Sequence, residues 1–211
     1  AAYREKLMQF VYSSVLLVKP LFAAAKKEPK RIVYAEGEDE RVLRAVQVVV
    51  DEGLAKPILV GRPSVIDRRI ERAGLRIKAG EQFDVINPEH DDRFRDYWTN
   101  YYELMQRKGV SQEYAQIEMR RRSTLIGAMM IHRGDADGML CGTFGTHQMH
   151  RRYIEQVIGR RAGVNTFGAM NAVLLPARTV FMADTYVNAD PTAEQIAEIT
   201  ILCAEEIRRF G

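Results

Sequence analysis

A loop with two glycines and a closing threonine, Gly142-Thr-Phe-Gly-Thr146, offers the clearest chemistry in this 211-residue chain. It follows a short apolar segment and precedes an amphipathic one, so we expect it to join a buried strand to a helix. Glycines let backbone amides approach an anion, and Thr146 can cap the helix and donate a hydroxyl hydrogen bond. The pattern predicts an anion-binding loop containing Gly142, Gly145 and Thr146, although an ordinary strand-to-helix turn fits the spacing equally well.

A second polar turn lies within segment 181–199, between a short apolar run and an amphipathic one that starts abruptly. Open α/β sheets bind ligands beyond the carboxyl ends of their strands, which is where this turn is expected. Asp184 and Asn188 are therefore candidate ligand-binding residues. A well-capped structural turn explains the same residues, with Asp190 as N-cap and Pro191 in the first helical position.

The two histidines His147 and His150 stand three residues apart, so they would share a face of the helix after the glycine loop. No carboxylate follows at helical spacing, since Glu155 is five residues beyond the second histidine. Two imidazoles without a third ligand are usually polar surface, so we expect no metal site. The sequence also shows no Ser-His-Asp or Cys-His arrangement and no nicotinamide-binding glycine fingerprint, so no catalytic residue is assigned.

Arginines cluster at three places, 120–122, 151–152 and 160–161. Such groups usually decorate the solvated faces of helices, and we expect this of 120–122 in particular. A phosphorylated ligand such as coenzyme A would nonetheless need some of them, because guanidinium groups bind phosphate through two parallel hydrogen bonds. The formal net charge is only +3, which gives no indication of nucleic-acid binding.

The elements that must position these residues alternate between strand and helix. Four short apolar runs are predicted as strands, near 31–35, 57–60, 83–86 and 137–141, and two more near 172–175 and 180–183. Helices are predicted at 39–52, 63–73, 94–101, 146–158 and beyond 190, with one long helix capped by Ser111 that ends near His132. This alternation is typical of an α/β fold with a parallel, doubly wound sheet and helices on both faces.

Three segments are expected along the chain. Residues 1–27 are predicted to be an amphipathic helical lead and a charged linker from an upstream domain. Residues 28–145 would form a first α/β subdomain, and 146–211 the start of a second.

Composition is that of a globular protein, with 46% apolar and 28% charged residues, and no run of apolar residues is long enough to span a membrane. Cys141 and Cys203 lie in apolar patterns, which favours reduced thiols and a cytoplasmic location.

Several of these segments also resemble a known family. The segments are Met-Ala-Asp-Thr-Tyr-Val-Asn-Ala-Asp-Pro-Thr-Ala-Glu-Gln-Ile-Ala-Glu-Ile at 182–199, Ile-Val-Tyr-Ala-Glu-Gly-Glu-Asp-Glu-Arg at 32–41 and Ala-Asp-Gly-Met-Leu-Cys-Gly at 136–142. They are similar to motifs of phosphotransacetylases, which exchange the acetyl group of acetyl-CoA with phosphate. The resemblance implies an isocitrate-dehydrogenase-like α/β fold, C-terminally incomplete here, with the family's catalytic motifs beyond the last residue. Thr146 and Arg152 match the family's loop and helix, whereas Gly145 and His147 replace its usual histidine and second hydroxyl residue.

The segments Tyr34-Ala-Glu-Gly-Glu-Asp-Glu-Arg41 and Leu140-Cys-Gly-Thr-Phe-Gly-Thr146 look most like the phosphotransacetylase-like region of multidomain NADP-dependent malic enzymes. That resemblance implies a non-catalytic region that senses acetyl-CoA, regulates oxidative decarboxylation of malate to pyruvate and supports assembly into dimers or larger oligomers. NADP and a divalent metal would then bind the upstream malic enzyme domain. A fragment of a true phosphate acetyltransferase and a pure assembly module remain as alternatives.

Overall fold

A computed structural model of the chain describes residues 19–175 and 178–210. These residues form two compact units. The larger spans Ala25–Gly159, and the smaller contains residues 19–24, 160–175 and 178–210. Residues 19–27 are helical (α1), whereas the rest of the predicted amphipathic lead lies outside the described residues.

The larger unit contains four strands and six further α-helices. The strands are β1 (Lys30–Tyr34), β2 (Ala55–Val60), β3 (Asp84–Ile86) and β4 (Gly138–Leu140). The helices are α2 (Glu40–Asp51), α3 (Pro63–Arg72), α4 (Phe94–Met105), α5 (Gln112–Arg121), α6 (Ser123–His132) and α7 (His147–Val157). All strand pairs are parallel in the order β3-β2-β1-β4, which confirms the predicted parallel α/β sheet.

Helices cover both faces of this sheet. Successive side chains of a strand point to opposite faces, and Val33 and Tyr34 accordingly enter two separate cores. Tyr34 packs with Leu43 of α2 and Ile66 of α3, while Val33 packs with residues of α4 to α7. The fold places the carboxyl ends of β1 and β4 side by side, where the strand order reverses. Ligands of open α/β sheets bind at such switch points.

The helix predicted from Ser111 to His132 is instead two helices. Ser111 caps α5 as expected, with its side chain accepting from the backbone N–H of Tyr114. The helix then ends at Arg122, which has φ −120° and ψ 92° and also precedes the first residue of α6. The break lets α6 run through the core, where seven consecutive residues from Thr124 to Met130 are buried. No glycine or proline marks this break in the sequence.

The smaller unit contains β5 (Met170–Leu174), β6 (Thr179–Ala183) and α8 (Ala193–Phe210). The two strands pair antiparallel, with Ala172 opposite Phe181, and form a sheet of their own. This corrects the expectation of parallel units throughout, because a connection as short as 175–178 allows only a hairpin.

The start of α8 also differs from the prediction. Thr192 Oγ1 accepts from Gln195 N at 3.3 Å, and Gln195 Oε1 accepts from Thr192 N at 2.8 Å. This reciprocal capping box makes Thr192 the cap in place of Asp190. On α8, Ile199 is buried, whereas Ile196 is 53% exposed.

The boundary between the compact units lies at Gly159 and Arg160, whereas the sequence placed a boundary before Thr146. The structural reason is that α7 packs against α6 and α4 and buries Tyr153 and Val157 in the larger unit's core. Helices long and apolar enough to cross a membrane do not occur in the part of the chain that the structure describes.

Candidate functional site

The glycine loop 142–146 lies at the predicted place, directly after β4 and before α7. It stands beside the end of β1, where Ala35 N donates to Leu140 O at 3.0 Å. Two chain segments that are distant in sequence, 35–41 and 141–146, therefore meet at the switch point of the sheet.

Three side chains hold the backbone of this loop. The carboxylate of Glu36 accepts from Gly142 N, at 3.1 and 3.2 Å from its two oxygens. Arg41 Nη2 donates to Thr143 O at 3.0 Å, and His150 Nε2 lies 2.8 Å from Phe144 O. The first amide of the predicted anion loop is thus already bonded to a carboxylate.

The His150 side chain is buried beneath the loop, with 5% of the residue exposed. The carbonyl oxygen of Phe144 can only accept, so Nε2 carries the hydrogen in the neutral ring. Nδ1 then accepts from the hydroxyl of Thr124 at 2.7 Å, and Glu36 Oε1 lies 4.0 Å from the same nitrogen. His150 therefore positions the loop, while His147 lies on the exposed side of α7.

Gly145 occupies a position that strongly favours glycine. Its φ of +99° is one that side chains rarely adopt. A Cβ there would lie 2.6 Å from Met149 Cε and 3.1 Å from His150 Nε2. The histidine that the resemblance leads one to expect at this position would need an unfavourable backbone conformation and a shift of Met149 and His150.

Thr146 caps α7, as predicted, with its hydroxyl oxygen accepting from Met149 N at 3.3 Å. Thr146 and Arg152 both line a cleft of about 700 Å³. The Arg152 guanidinium is exposed and stands 5.9 Å from the centre of the Tyr153 ring. The structure thus brings these two predicted residues to one cleft.

Sequence reasoning missed a polar cluster at the base of this cleft. The buried carboxylate of Glu118 accepts from the hydroxyl of Tyr153 and from Arg122 Nε, the latter at 3.3 Å. Burial, together with the hydrogen bond to Glu118, raises the pKa of Tyr153 above its usual range. Arg122 was expected on a helix surface, and only the break between α5 and α6 turns it toward the cleft.

The other two predicted site residues belong to the smaller unit and contact each other. Asp184 has a φ of +49°, and its Oδ2 accepts from both Asn188 N and Asn188 Nδ2, at 3.1 and 2.9 Å. Asn188 Nδ2 also donates to Phe167 O at 2.7 Å. Burial alone would raise the pKa of Asp184, but these hydrogen bonds outweigh it and the pKa is lowered. Both side chains hold the conformation of their own loop.

Cys141, which directly precedes the glycine loop, is a free thiol, and Cys203 is buried in α8. Burial and, to a smaller extent, the charge of Glu36 raise the pKa of Cys141 to about 11. The thiol is therefore protonated and a poor nucleophile at neutral pH. Within residues 19–175 and 178–210, no three His, Cys, Asp or Glu side chains are grouped as a metal site would require.

Comparison with known proteins identifies the family of this chain. The family model described as Phosphate acetyl/butaryl transferase matches residues 16–211. The chain is 54% identical over 210 residues to the NADP-dependent malic enzyme of Salmonella typhimurium, covering 100% of this chain and 28% of that protein. It is 35% identical over 191 residues to the phosphate acetyltransferase of Nitratidesulfovibrio vulgaris, covering 90% of this chain and 27% of that protein.

Among solved structures, a phosphotransacetylase from Streptococcus pyogenes superposes with a TM-score of 0.80 at 28% identity, covering 92% of this chain and 59% of that one. The EutD phosphotransacetylase from Staphylococcus aureus gives the same TM-score at 24% identity, covering 92% and 58% of the two chains. The chain thus has the phosphotransacetylase fold, and it spans little more than a quarter of the length of the malic enzyme that it matches.

Proposed function

The chain belongs to the phosphate acetyl/butaryl transferase family, and on this premise we propose that it is the regulatory region of an NADP-dependent malic enzyme, which binds acetyl-CoA without acting on it. The parent protein would oxidise malate to pyruvate in the cytoplasm. NADP and a divalent metal would bind its upstream malic enzyme domain.

The observation that carries the non-catalytic part is the packing around Gly145. Met149 and His150 fill the space that a side chain at this position would enter, and the backbone there favours glycine. Glu36 also accepts from Gly142 N, so a carboxylate already occupies the first amide of the predicted anion-binding loop. The arrangement supports binding of a ligand beside the loop more than acetyl transfer at the loop.

The proposed ligand contacts are those that the fold makes accessible. Thr146 and Arg152 line the cleft of about 700 Å³, a volume typical of small-molecule sites. Gly142 and Gly145 would shape the loop beside it. Asp184 and Asn188, the other candidate ligand-binding residues from the sequence, hold the conformation of their own loop in the smaller unit.

The direct test is the response of the full-length malic enzyme to acetyl-CoA. Replacing Arg152 by alanine removes a charge-assisted contact worth about 1.5–3 kcal/mol, or roughly ten- to a hundredfold in effector affinity. We expect the acetyl-CoA concentration needed for half-maximal regulation to rise by that factor, with unchanged activity in the absence of effector.

Arg68→Ala, at an exposed position of α3, is the matched control and is expected to leave the titration unchanged. A response curve of Arg152→Ala that coincides with the wild type would place the sensor elsewhere. The acetyltransferase alternative is tested separately, by following thiol release from acetyl-CoA and phosphate. Steady turnover by the chain that is lost in Thr146→Ala would replace regulation with catalysis.

A further inference from the structure

The cleft beside the glycine loop carries a strong excess of positive charge. It lies between the C-terminal end of α4, the junction of α5 with α6, and α7. Four cationic side chains line it, against the single carboxylate of Glu155. The cationic residues are Lys108, Arg122, Arg151 and Arg152. Because they come from three separate elements, the charge is concentrated by the fold and not by a single run of the sequence.

The guanidinium of Arg122 is held in place by two contacts with the protein. Its Nε donates to Glu118 Oε2 at 3.3 Å, and its Nη1 lies 3.4 Å from the Met149 sulfur. Neither contact uses Nη2. The side chain is 37% exposed, so its outer edge faces the cleft while its inner edge is held by the protein.

Glu118 is the residue that holds it. Its side chain is only 8% exposed, and the hydroxyl of Tyr153 donates to the same oxygen that receives Arg122. A buried carboxylate with two donors is costly to displace, so the Arg122 guanidinium is kept in one orientation before any ligand arrives. Less side-chain entropy is then lost when an anion binds.

The backbone amide of Gly142 could also bind an anion, but the negative charge of Glu36 blocks it. Gly142 N, the first amide of the glycine loop, already donates to Glu36, whose side chain is 12% exposed. A second anion brought to that amide would meet a poorly solvated carboxylate, and like charges at short distance repel strongly. An anionic ligand is therefore favoured in the cleft that Thr146 and Arg122 line.

We infer that the Arg122 cleft holds the phosphate groups of the ligand, a molecule with at least two phosphates, and that phosphate charge and not the acyl group supplies most of the affinity. This rests on the proposed function for the identification of the ligand as acetyl-CoA. It adds an anchor, Arg122, and a positioning residue, Glu118, which lies four residues before it.

The experiment measures binding of adenosine diphosphate, adenosine and acetyl-CoA to the 211-residue chain by calorimetry. Arg122→Met removes the charge at similar length, and Arg122→Lys keeps the charge without the fork. Arg121→Met is the matched control, since this neighbouring arginine lines a separate cleft of about 540 Å³. Circular dichroism and thermal unfolding establish that each variant is folded.

We expect the wild type to bind adenosine diphosphate and not adenosine. Arg122→Met should weaken both adenosine diphosphate and acetyl-CoA by about ten- to a hundredfold, with Arg122→Lys between the two and Arg121→Met unchanged. The inference is overturned if the wild type binds acetyl-CoA but not adenosine diphosphate, or if Arg122→Met binds adenosine diphosphate as the wild type does. Adenosine diphosphate binding with no acetyl-CoA binding would support the phosphate site while removing the proposed function.

Discussion

The carboxylate of Glu36 accepts the backbone N–H of Gly142, at 3.1 and 3.2 Å, across 106 residues of sequence. A glycine loop before a helix would ordinarily present this amide to a bound anion. Here the protein supplies the anion itself. The contact ties the end of β1 to the loop after β4 and makes the loop a fixed wall of the neighbouring cleft.

Replacing Gly145 by alanine tests how tightly the loop is packed. The residue has φ +99°, and a Cβ would meet Met149 Cε at 2.6 Å. We expect Gly145→Ala to lower the free energy of unfolding by about 1–3 kcal/mol, measured by urea denaturation. Gly53→Ala is the control, since Gly53 has φ +65° with no atom near its Cβ position, and it should cost about 1 kcal/mol. Equal losses in the two variants would mean that the packing against Met149 contributes nothing.

The two thiols are expected to react slowly near neutral pH. Burial raises the pKa of Cys141 to about 11 and also raises that of Cys203. At pH 8 the thiolate fraction of Cys141 should therefore be about a hundredfold below that of a free cysteine, and a disulfide reagent should react correspondingly slowly. Glu36→Gln should speed modification of Cys141, because the charge of Glu36 contributes to the shift. The test uses a Cys203→Ser background, and reaction of Cys141 at the free-cysteine rate would contradict it.

Asp39 is expected to contribute to stability against acid. Its side chain caps α2 and accepts from Arg41, whose guanidinium lowers the pKa of that carboxyl from 3.8 to about 2. A lowered folded-state pKa gives stability that is complete above the unfolded value and is lost as the pH falls from about 4 toward 2. Asp39→Asn keeps the cap without the charge, so its urea midpoint should fall less than the wild type between pH 5 and pH 2.5. Parallel curves would show that the ion pair adds no stability.

Self-association is predicted to use α5. The aromatic residues Tyr97 and Tyr101 of α4 are not available for this contact, since they are 1% and 0% exposed in the core. On α5, Tyr114 and Ile117 remain exposed and, three residues apart, share a face. We propose that a second copy of the chain covers this face, as closed symmetric dimers are the commonest assembly. Sedimentation should show a dimer that Ile117→Lys dissociates.

The control for this variant is Val48→Lys, which places the same charge on exposed α2. It should sediment as the wild type does. Monomer mass for the wild-type chain at all concentrations would remove the prediction, and dissociation by both variants would show that α5 has no special role.

The sequence by itself determined most elements of the larger unit. Apolar periodicity placed the four strands and the helices α2, α3, α4 and α7. The caps Ser111 and Thr146 could be predicted because capping depends on side chains within two or three residues of the helix start. The parallel sheet followed from the alternation of strand and helix. The same local signals identified the loop 142–146 and the family that it resembles.

Only the tertiary structure decided which side chains contact the glycine loop and which cleft is favourable for an anion. The contacts of Glu36 with Gly142 and of His150 with Thr124 depend on which strands and helices are neighbours, and no local pattern records that. Arg122 carries no breaker or cap signal, yet the chain turns there between α5 and the buried α6, and Arg122 Nη1 lies 3.4 Å from the Met149 sulfur of α7. The ion pair of Arg122 with Glu118 lies within one helical turn and can be predicted from spacing, whereas contacts between distant segments form only after the sheet has set its strand order.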